Sequence, residues 1–418
     1  MILVPNLLQR LSGNKSLLVF IAVLIVFSAC SKKIVPVKQP EVENPAPVIV
    51  EEPKTEVAPV EKAIVREHSI ALLLPFLLNT IDVNTAGKKE VGQADMAIDF
   101  YQGFKLGLDS VALGGHNFKV HVFDTESGDA RIADLAMNES IKKQDLIIGP
   151  VFPEAISTFS KFNKSGKIQV SPLAATSPAE FNNPNLLTIN NTLDQHSEKI
   201  AAFINSHYQP ESVNIVLINT QKSEDARFSN YLKQYLAGFS ASKFKIMERP
   251  NAIGIESYLS TAKNNLILIT ASDRSFLLPA IDKLYKLKNE GYQIEVFGHP
   301  NWIKAKYLNV SKMQAINARI SASYFVNYKA QNVKSFIARY RDEYKLEPSE
   351  FSFKGFDIAY YLGSMMEEYG NDFIDHLGDK TYEGLHNRFR FSKKPEFGYV
   401  NAELYLLRYQ NFELQAEE

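Results

Sequence analysis

One cysteine and one tryptophan in 418 residues set the first limits. A single thiol excludes an intrachain disulfide, and with it the small secreted folds that depend on several bridges. Charge of either sign is not in surplus: 47 acidic residues face 46 basic ones, a formal net charge of −1. Nothing in that balance draws the chain to nucleic acid, which is not expected as a partner. Long apolar runs are scarce, and the one from Leu17 to Phe27 falls short of the roughly 20 residues that a spanning helix needs. Catalytic signatures are absent as well. There is no Gly-x-Ser-x-Gly elbow and no His-Glu-x-x-His, and Gly87-Lys88-Lys89 lacks the upstream glycine of a phosphate loop. The eight histidines are scattered without metal-ligand spacing. Asp372, Asp375 and His376 share one helical stretch and read as a solvated face. The expectation is a protein that is not an enzyme and uses no cofactor or metal.

What is present begins at the N-terminus. Arg10 and Lys15 precede the apolar run, and Ser28, Ala29 and Cys30 follow it. A basic flank, a short apolar core and a small-residue exit make a secretory signal peptide, here residues 1–29. The cysteine at its end resembles the lipobox of bacterial lipoproteins. Ser28, Ala29 and Cys30 fit that pattern, while Phe27 stands where leucine is usual. The resemblance implies acylation of Cys30, each buried methylene contributing about 0.8 kcal/mol of membrane affinity. Residues 30–66 change composition sharply: Pro36, Pro40, Pro45, Pro47, Pro53 and Pro59 alternate with valine and glutamate. Such a stretch has no period that could build a core, and at about 3 Å per residue it reaches on the order of 100 Å. The expected location is the cell envelope of a double-membrane bacterium, as an exported, membrane-anchored lipoprotein facing the periplasm or the outside.

From His68 onward, short apolar runs alternate with amphipathic stretches of helical length. The runs are Ile70–Leu74, Lys119–Phe123, Leu146–Gly149, Ile168–Val170, Val213–Ile218, Leu266–Thr270 and Ile294–Phe297. The helical stretches between and after them are Ala94–Leu113, Asp129–Lys142, Asp194–Tyr208, Asp225–Phe239, Asp273–Lys288 and Val333–Tyr344. That rhythm means βαβ units and parallel sheets. Roughly 350 residues exceed what one hydrophobic core serves, so the expected fold is α/β with two lobes. Each lobe is a mainly parallel sheet flanked by helices, and the chain crosses between lobes several times. Residues 388–412 read as strands joined by turns, and Asn190 and Asn191 as turn residues at the first crossing.

Six motifs fall in one order. They are the strand Ile70–Pro75, the helix Asp99–Leu108 with Gly103 and Gly107, Asp124-Thr125, Ile147-Ile148-Gly149-Pro150, Ser171–Thr176 and Gly355-Phe356-Asp357. In this the chain resembles the type I periplasmic binding proteins, the branched-chain amino-acid receptor group with its leucine-binding-protein domain, over residues 68 to about 412. The resemblance implies one lobe over about 67–191 and 325–385, and a second over about 192–324 and 386–418. It implies a ligand between the lobes at the carboxyl ends of the strands, with a hinge that closes on it.

By position, Asn79, Phe152, Glu154, Ala174 and Thr176 would line that cleft from the first lobe. Asn219, Thr220, Ser272, Asp273, His299, Asn301 and Trp302 would line it from the second, with Trp302 able to stack on a ring. The family's amino-acid anchors are mostly replaced. Pro153-Glu154-Ala155 lacks the serine that holds a carboxylate, Ser223 stands near the second-lobe tyrosine, and Pro300-Asn301 near the acid that holds the amine. Thr176 alone remains, and an unpaired buried charge is costly. Two functions follow. One is a receptor that captures a small polar solute, an amino acid or related compound, for an ABC-type importer or as a sensor. The other is an envelope interaction protein similar to the outer-membrane lipoproteins that activate peptidoglycan synthases. The partners are accordingly a solute with an ABC permease, or a peptidoglycan synthase.

Overall fold

The structure, a computed structural model, describes residues 67–417 apart from Val83 and 239–243. The signal peptide, Cys30 and the stalk lie outside the described residues. Among those described, no helix is long and apolar enough to cross a membrane.

Most of the apolar runs become strands because their residues are buried on both faces, as a central parallel strand requires; the run Lys119–Phe123, at a sheet edge, has no buried residue. In β1 (Glu67–Leu74) everything from Ile70 to Leu74 is buried. The chain continues through α1 (Asp95–Ala112), β2 (Asn117–Asp124), α2 (Asp129–Met137), β3 (Leu146–Ile148), α3 (Pro153–Phe162), β4 (Ile168–Ser171) and β5 (Leu186–Thr188). It then crosses to the second lobe. There it forms α4 (Leu193–His207), β6 (Val213–Ile218), α5 (Ser223–Gly238), β7 (Ile246–Arg249), β8 (Asn264–Ile269), α6 (Arg274–Asn289), β9 (Ile294–Gly298) and β10 (Arg319–Ala322). A second crossing returns it to the first lobe for α7 (Gln331–Tyr344), α8 (Glu350–Tyr369), β11 (Phe391–Lys394) and β12 (Gly398–Asn401). A third delivers β13 (Tyr405–Gln410) and β14 (Glu413–Glu417) to the second sheet.

The first sheet runs β11-β12-β5-β4-β3-β1-β2 and the second β14-β13-β10-β9-β8-β6-β7. Pairing is parallel from β12 through β2 and from β10 through β7, and antiparallel at the β11 and β13–β14 edges. Each sheet packs helices on its faces, giving each lobe its own core. The α/β, two-lobed expectation is therefore met.

Three details differ from the sequence reading. The stretch Asp129–Lys142 is not one helix: Asn138 ends α2, and its Oδ1 accepts from Ser140 N at 2.8 Å to start a separate turn. Strands β5, β7 and β10, of three or four residues each, are not among the apolar runs expected from the sequence. The return to the second lobe, expected at residue 386, comes only after Asn401, because β12 pairs with β5, and β11 with β12, in the first sheet. Alternation within 388–412 marks strands, but it carries no information about which sheet edge takes them.

Glycine lets α1 and α8 approach until their backbones touch. A Cβ on Gly103 would fall 1.8 Å from the Ser352 carbonyl oxygen, and one on Gly355 would fall 2.2 Å from that of Phe100. Both glycines belong to motifs singled out in the sequence, and they fix α8 across the first lobe beside the crossings.

Candidate functional site

The carboxyl ends of the parallel strands in the two lobes carry most of the anticipated residues, but the structure gives them different tasks. After β1, Asn79 sits exposed in a turn. That turn is organised by Asp124 at the end of β2, whose carboxylate accepts from the backbone N–H groups of Phe76, Leu77, Leu78 and Glu126 at 2.8–3.2 Å. Phe152, half exposed at 51%, and exposed Glu154 open α3. With Leu77, Met96 and Val151 they line a pocket of about 300 Å3 confined to the first lobe. Ala174 is buried against Ile156, Phe181 and Leu186 and offers no surface. Thr176 is half-buried.

In the second lobe, Asn219 is buried. Its amide donates to Glu248 Oε1 at 2.7 Å, and its Oδ1 accepts from Gln221 N at 3.0 Å, shaping the loop after β6. Thr220 donates to Asp225 in the first turn of α5. Asp273 caps α6, accepting from Ser275 N at 2.9 Å and Phe276 N at 3.2 Å. Those hydrogen bonds, the Ser275 hydroxyl foremost, hold its carboxyl below the usual range. Ser272 is half-buried and its carbonyl accepts from the Tyr307 hydroxyl at 3.2 Å. His299 is buried and accepts from Asn301 N at 3.0 Å, which caps the turn Pro300–Lys304, while Asn301 itself is exposed. Burial pushes the His299 imidazole down to about 4, so it is neutral at physiological pH.

Trp302 is a core residue rather than a stacking platform. It is 1% exposed, and its indole N–H goes to the Ala271 carbonyl at 2.9 Å. Its ring fills the space left by Gly298, where a Cβ would come within 2.2 Å of Cε3. No face of the ring remains for a ligand.

The cavity that does have walls from both lobes lies beside β4 and β12 and measures about 1180 Å3. Thr176 and Glu180 line it from the first lobe, Arg227, Tyr231 and Lys199 from α4 and α5, and Lys394 from β11. Of the anticipated cleft residues it gathers only Thr176; Arg227 and Tyr231 lie one to two turns into α5, where a search of strand ends does not look. Arg227 Nε donates to the Tyr231 hydroxyl at 3.3 Å, and its guanidinium comes to 3.9 Å from Glu180 across the lobes.

The crossings are braced by side-chain amides, including that of Asn191, expected from the sequence only as a turn residue. Asn191 Nδ2 and Gln195 Nε2 both donate to the Asn401 carbonyl, at 2.9 and 2.7 Å. The Asn401 amide returns bonds to Ile189 O and Arg388 O, tying the first crossing to the third. Asn387 Nδ2 donates to Ser323 O at 2.9 Å in the second crossing. Asp357, fully buried on α8, accepts from the backbone N–H groups of Leu385, His386 and Asn387 at 2.8 Å each. Burial nevertheless pushes its carboxyl up to about 7.

Two mainly parallel sheets with helices on their faces, joined by three chain crossings, make the fold of the type I periplasmic binding proteins. Among solved structures, a Rhodospirillum rubrum protein assigned as a branched-chain amino acid ABC transporter matches with a TM-score of 0.61 at 15% identity, covering 84% of this chain and 100% of its own. The ABC transporter substrate-binding protein of Desulfitobacterium hafniense, in complex with Leu, matches at 0.51 and 13%, covering 84% and 100%. The C-domain of LpoA from Haemophilus influenzae, a regulator of PBP1A, matches at 0.55 and 13%, again covering 84% and 100%. Likeness at these identities is likeness of fold. No protein-family profile and no curated protein sequence matches the chain.

Proposed function

We propose that this protein is an exported solute-binding protein, anchored by lipid on Cys30, that captures a polar ligand between its lobes as the receptor of an ABC-type importer or as a sensor. The cavity of about 1180 Å3 walled by both lobes carries the reading, because open α/β sheets bind ligands outside their strand ends and a two-walled site couples occupancy to closure. Small-ligand pockets occupy roughly 300–1,000 Å3, so this one has room for a small solute, and the replaced amino-acid anchors leave its class wider than the free amino acids. Thr176, Arg227 and Tyr231 are the residues assigned to ligand contact.

The likeness to the LpoA C-domain supports a second reading, an envelope protein whose partner is an enzyme of the cell wall. Thermal melting against amino acids, sugars, peptides and wall fragments separates the two. A ligand at a hundred times its Kd adds about 2.7 kcal/mol of stability, and the solute-binding reading expects such a shift, reduced in Thr176→Ala and Arg227→Ala. A protein that no compound shifts takes the second reading instead. The anchor has its own test: Cys30→Ala is expected to leave an unprocessed precursor released from membranes, and normal processing with unchanged mass would overturn it.

A further inference from the structure

Resting on the solute-binding reading, one buried cation defines the charge of the ligand. Lys354, in the second turn of α8, is only 6% exposed. An ammonium carries three donors. One goes to the Asn190 Oδ1 at 2.6 Å, and the charge lies 5.7 Å from the centre of the Tyr324 ring. Among the described residues no carboxylate pairs with it. Asp357, one turn further along α8, is occupied by three backbone N–H groups, and Glu350, one turn before, is engaged elsewhere. An ammonium held this way is expensive, because desolvation outweighs the attraction of Glu350 and Asp357, neither of which contacts it. Burial accordingly pushes the Lys354 amine down to about 8.

Its surroundings come from both lobes. Asn190 lies on the first crossing, and its amide donates to the Leu173 carbonyl just past β4, which turns its oxygen toward Lys354. Tyr324 lies on the second crossing. Lys304, from the turn after β9 in the second lobe, lies 6.0 Å from the opposite cation's ring partner, the same Tyr324. Glu350 bridges this group, taking Lys304 Nζ at 2.7 Å and the Tyr324 hydroxyl at 3.1 Å. Two cations thus lie 5.7 and 6.0 Å from the centre of one ring where the strand ends of the lobes meet, and the exposed one contacts a carboxylate while the buried one contacts none.

We propose that Lys354 anchors an oxyanion of the ligand, a carboxylate or a phosphate, at the strand ends between the lobes, a point outside the residues that line the two-lobe cavity. Lys304 completes the contact from the second lobe when Glu350 releases it. The ligand supplies the counter-ion that the protein itself withholds.

The test melts the whole protein, wild type, Lys354→Met and Lys304→Ala, with inorganic phosphate and with matched acid and amide pairs: leucine and leucinamide, benzoate and benzamide, succinate and succinamide. At least one acid, or phosphate, is expected to raise the wild-type melting point while its amide does not, which also separates carboxylate from phosphate. Calorimetry is expected to give a loss of about tenfold or more in affinity for Lys354→Met, the size of one hydrogen bond to a charged group, and a smaller loss for Lys304→Ala. Lys354→Met itself is expected to melt at or above wild type, since it removes an uncompensated charge. An amide that binds as well as its acid, or a shift kept in Lys354→Met, overturns the anchor and leaves solute binding standing. A Lys354→Met protein that melts lower or fails to fold makes the lysine a brace for the crossing and also overturns it. A wild type shifted by nothing counts against both readings.

Discussion

Single side chains decide which strand-end residues meet a ligand. Position alone put Trp302 and Thr176 on equal terms, yet one is sealed in the second-lobe core and the other lines the two-lobe cavity. The direction of a side chain depends on the space opposite it, and the signal for Trp302 was Gly298, four residues earlier, which leaves room for the indole. Trp302→Ala is therefore expected to cost about 3–5 kcal/mol, as other large core truncations do, measured by urea unfolding; a cost under 1 kcal/mol would contradict its core role. Asp357 makes a prediction about pH. Its carboxyl rises from an ordinary 3.8 to about 7 in the folded state, so between those values the native protein holds a proton that the unfolded chain has lost. Stability from this group is complete near pH 4 and is lost as pH climbs through 7. Asp357→Asn is expected to flatten that part of the stability–pH curve. It also destabilises the protein by about 1–3 kcal/mol, because an amide N–H then faces backbone donors. An unchanged slope would show that the group does not titrate there.

At the scale of elements, most of the fold was legible because buried parallel strands are apolar throughout and the helices between them are amphipathic. β1 and α1 lie within a residue or two of where the residue pattern puts them, once the polar start of β1 is allowed for. What escaped was short or conditional. β5, β7 and β10 are three or four residues long and are strands only because neighbouring strands pair with them. Asn138 interrupts a helical pattern by capping a new turn, a choice made by one side chain. The α1–α8 contact was visible in outline as glycine on a packed helix, although the second half of the pair became plain only from the structure. Gly103→Ala or Gly355→Ala must push the two backbones apart, and either is expected to lower stability by about 1–3 kcal/mol or more in urea unfolding. A neutral result would mean that the helices can separate without cost.

For the whole molecule, the two-lobed plan followed from chain length and the βα rhythm and the several crossings from the lack of any linker composition between the lobes, whereas the third boundary did not. The amides of Asn191, Asn387 and Asn401 hold the three crossings together, and asparagine at a loop carries no mark in sequence that it is a hinge brace rather than a turn. The candidate cavity followed the same pattern: Thr176, past a strand end, was among the expected residues, while Arg227 and Tyr231, one to two turns into α5, were not. If the lobes close on a solute, the distance between them must change with occupancy. Cys30 is the only cysteine, so a Cys30→Ala background with cysteines introduced at exposed Ser157 in the first lobe and exposed Glu224 in the second accepts a single pair of spin labels. A compound that raises the melting point is expected to shorten and narrow the measured distance distribution, and Thr176→Ala or Arg227→Ala to abolish the change. A distribution that stays the same while such a compound is bound would contradict capture between the lobes.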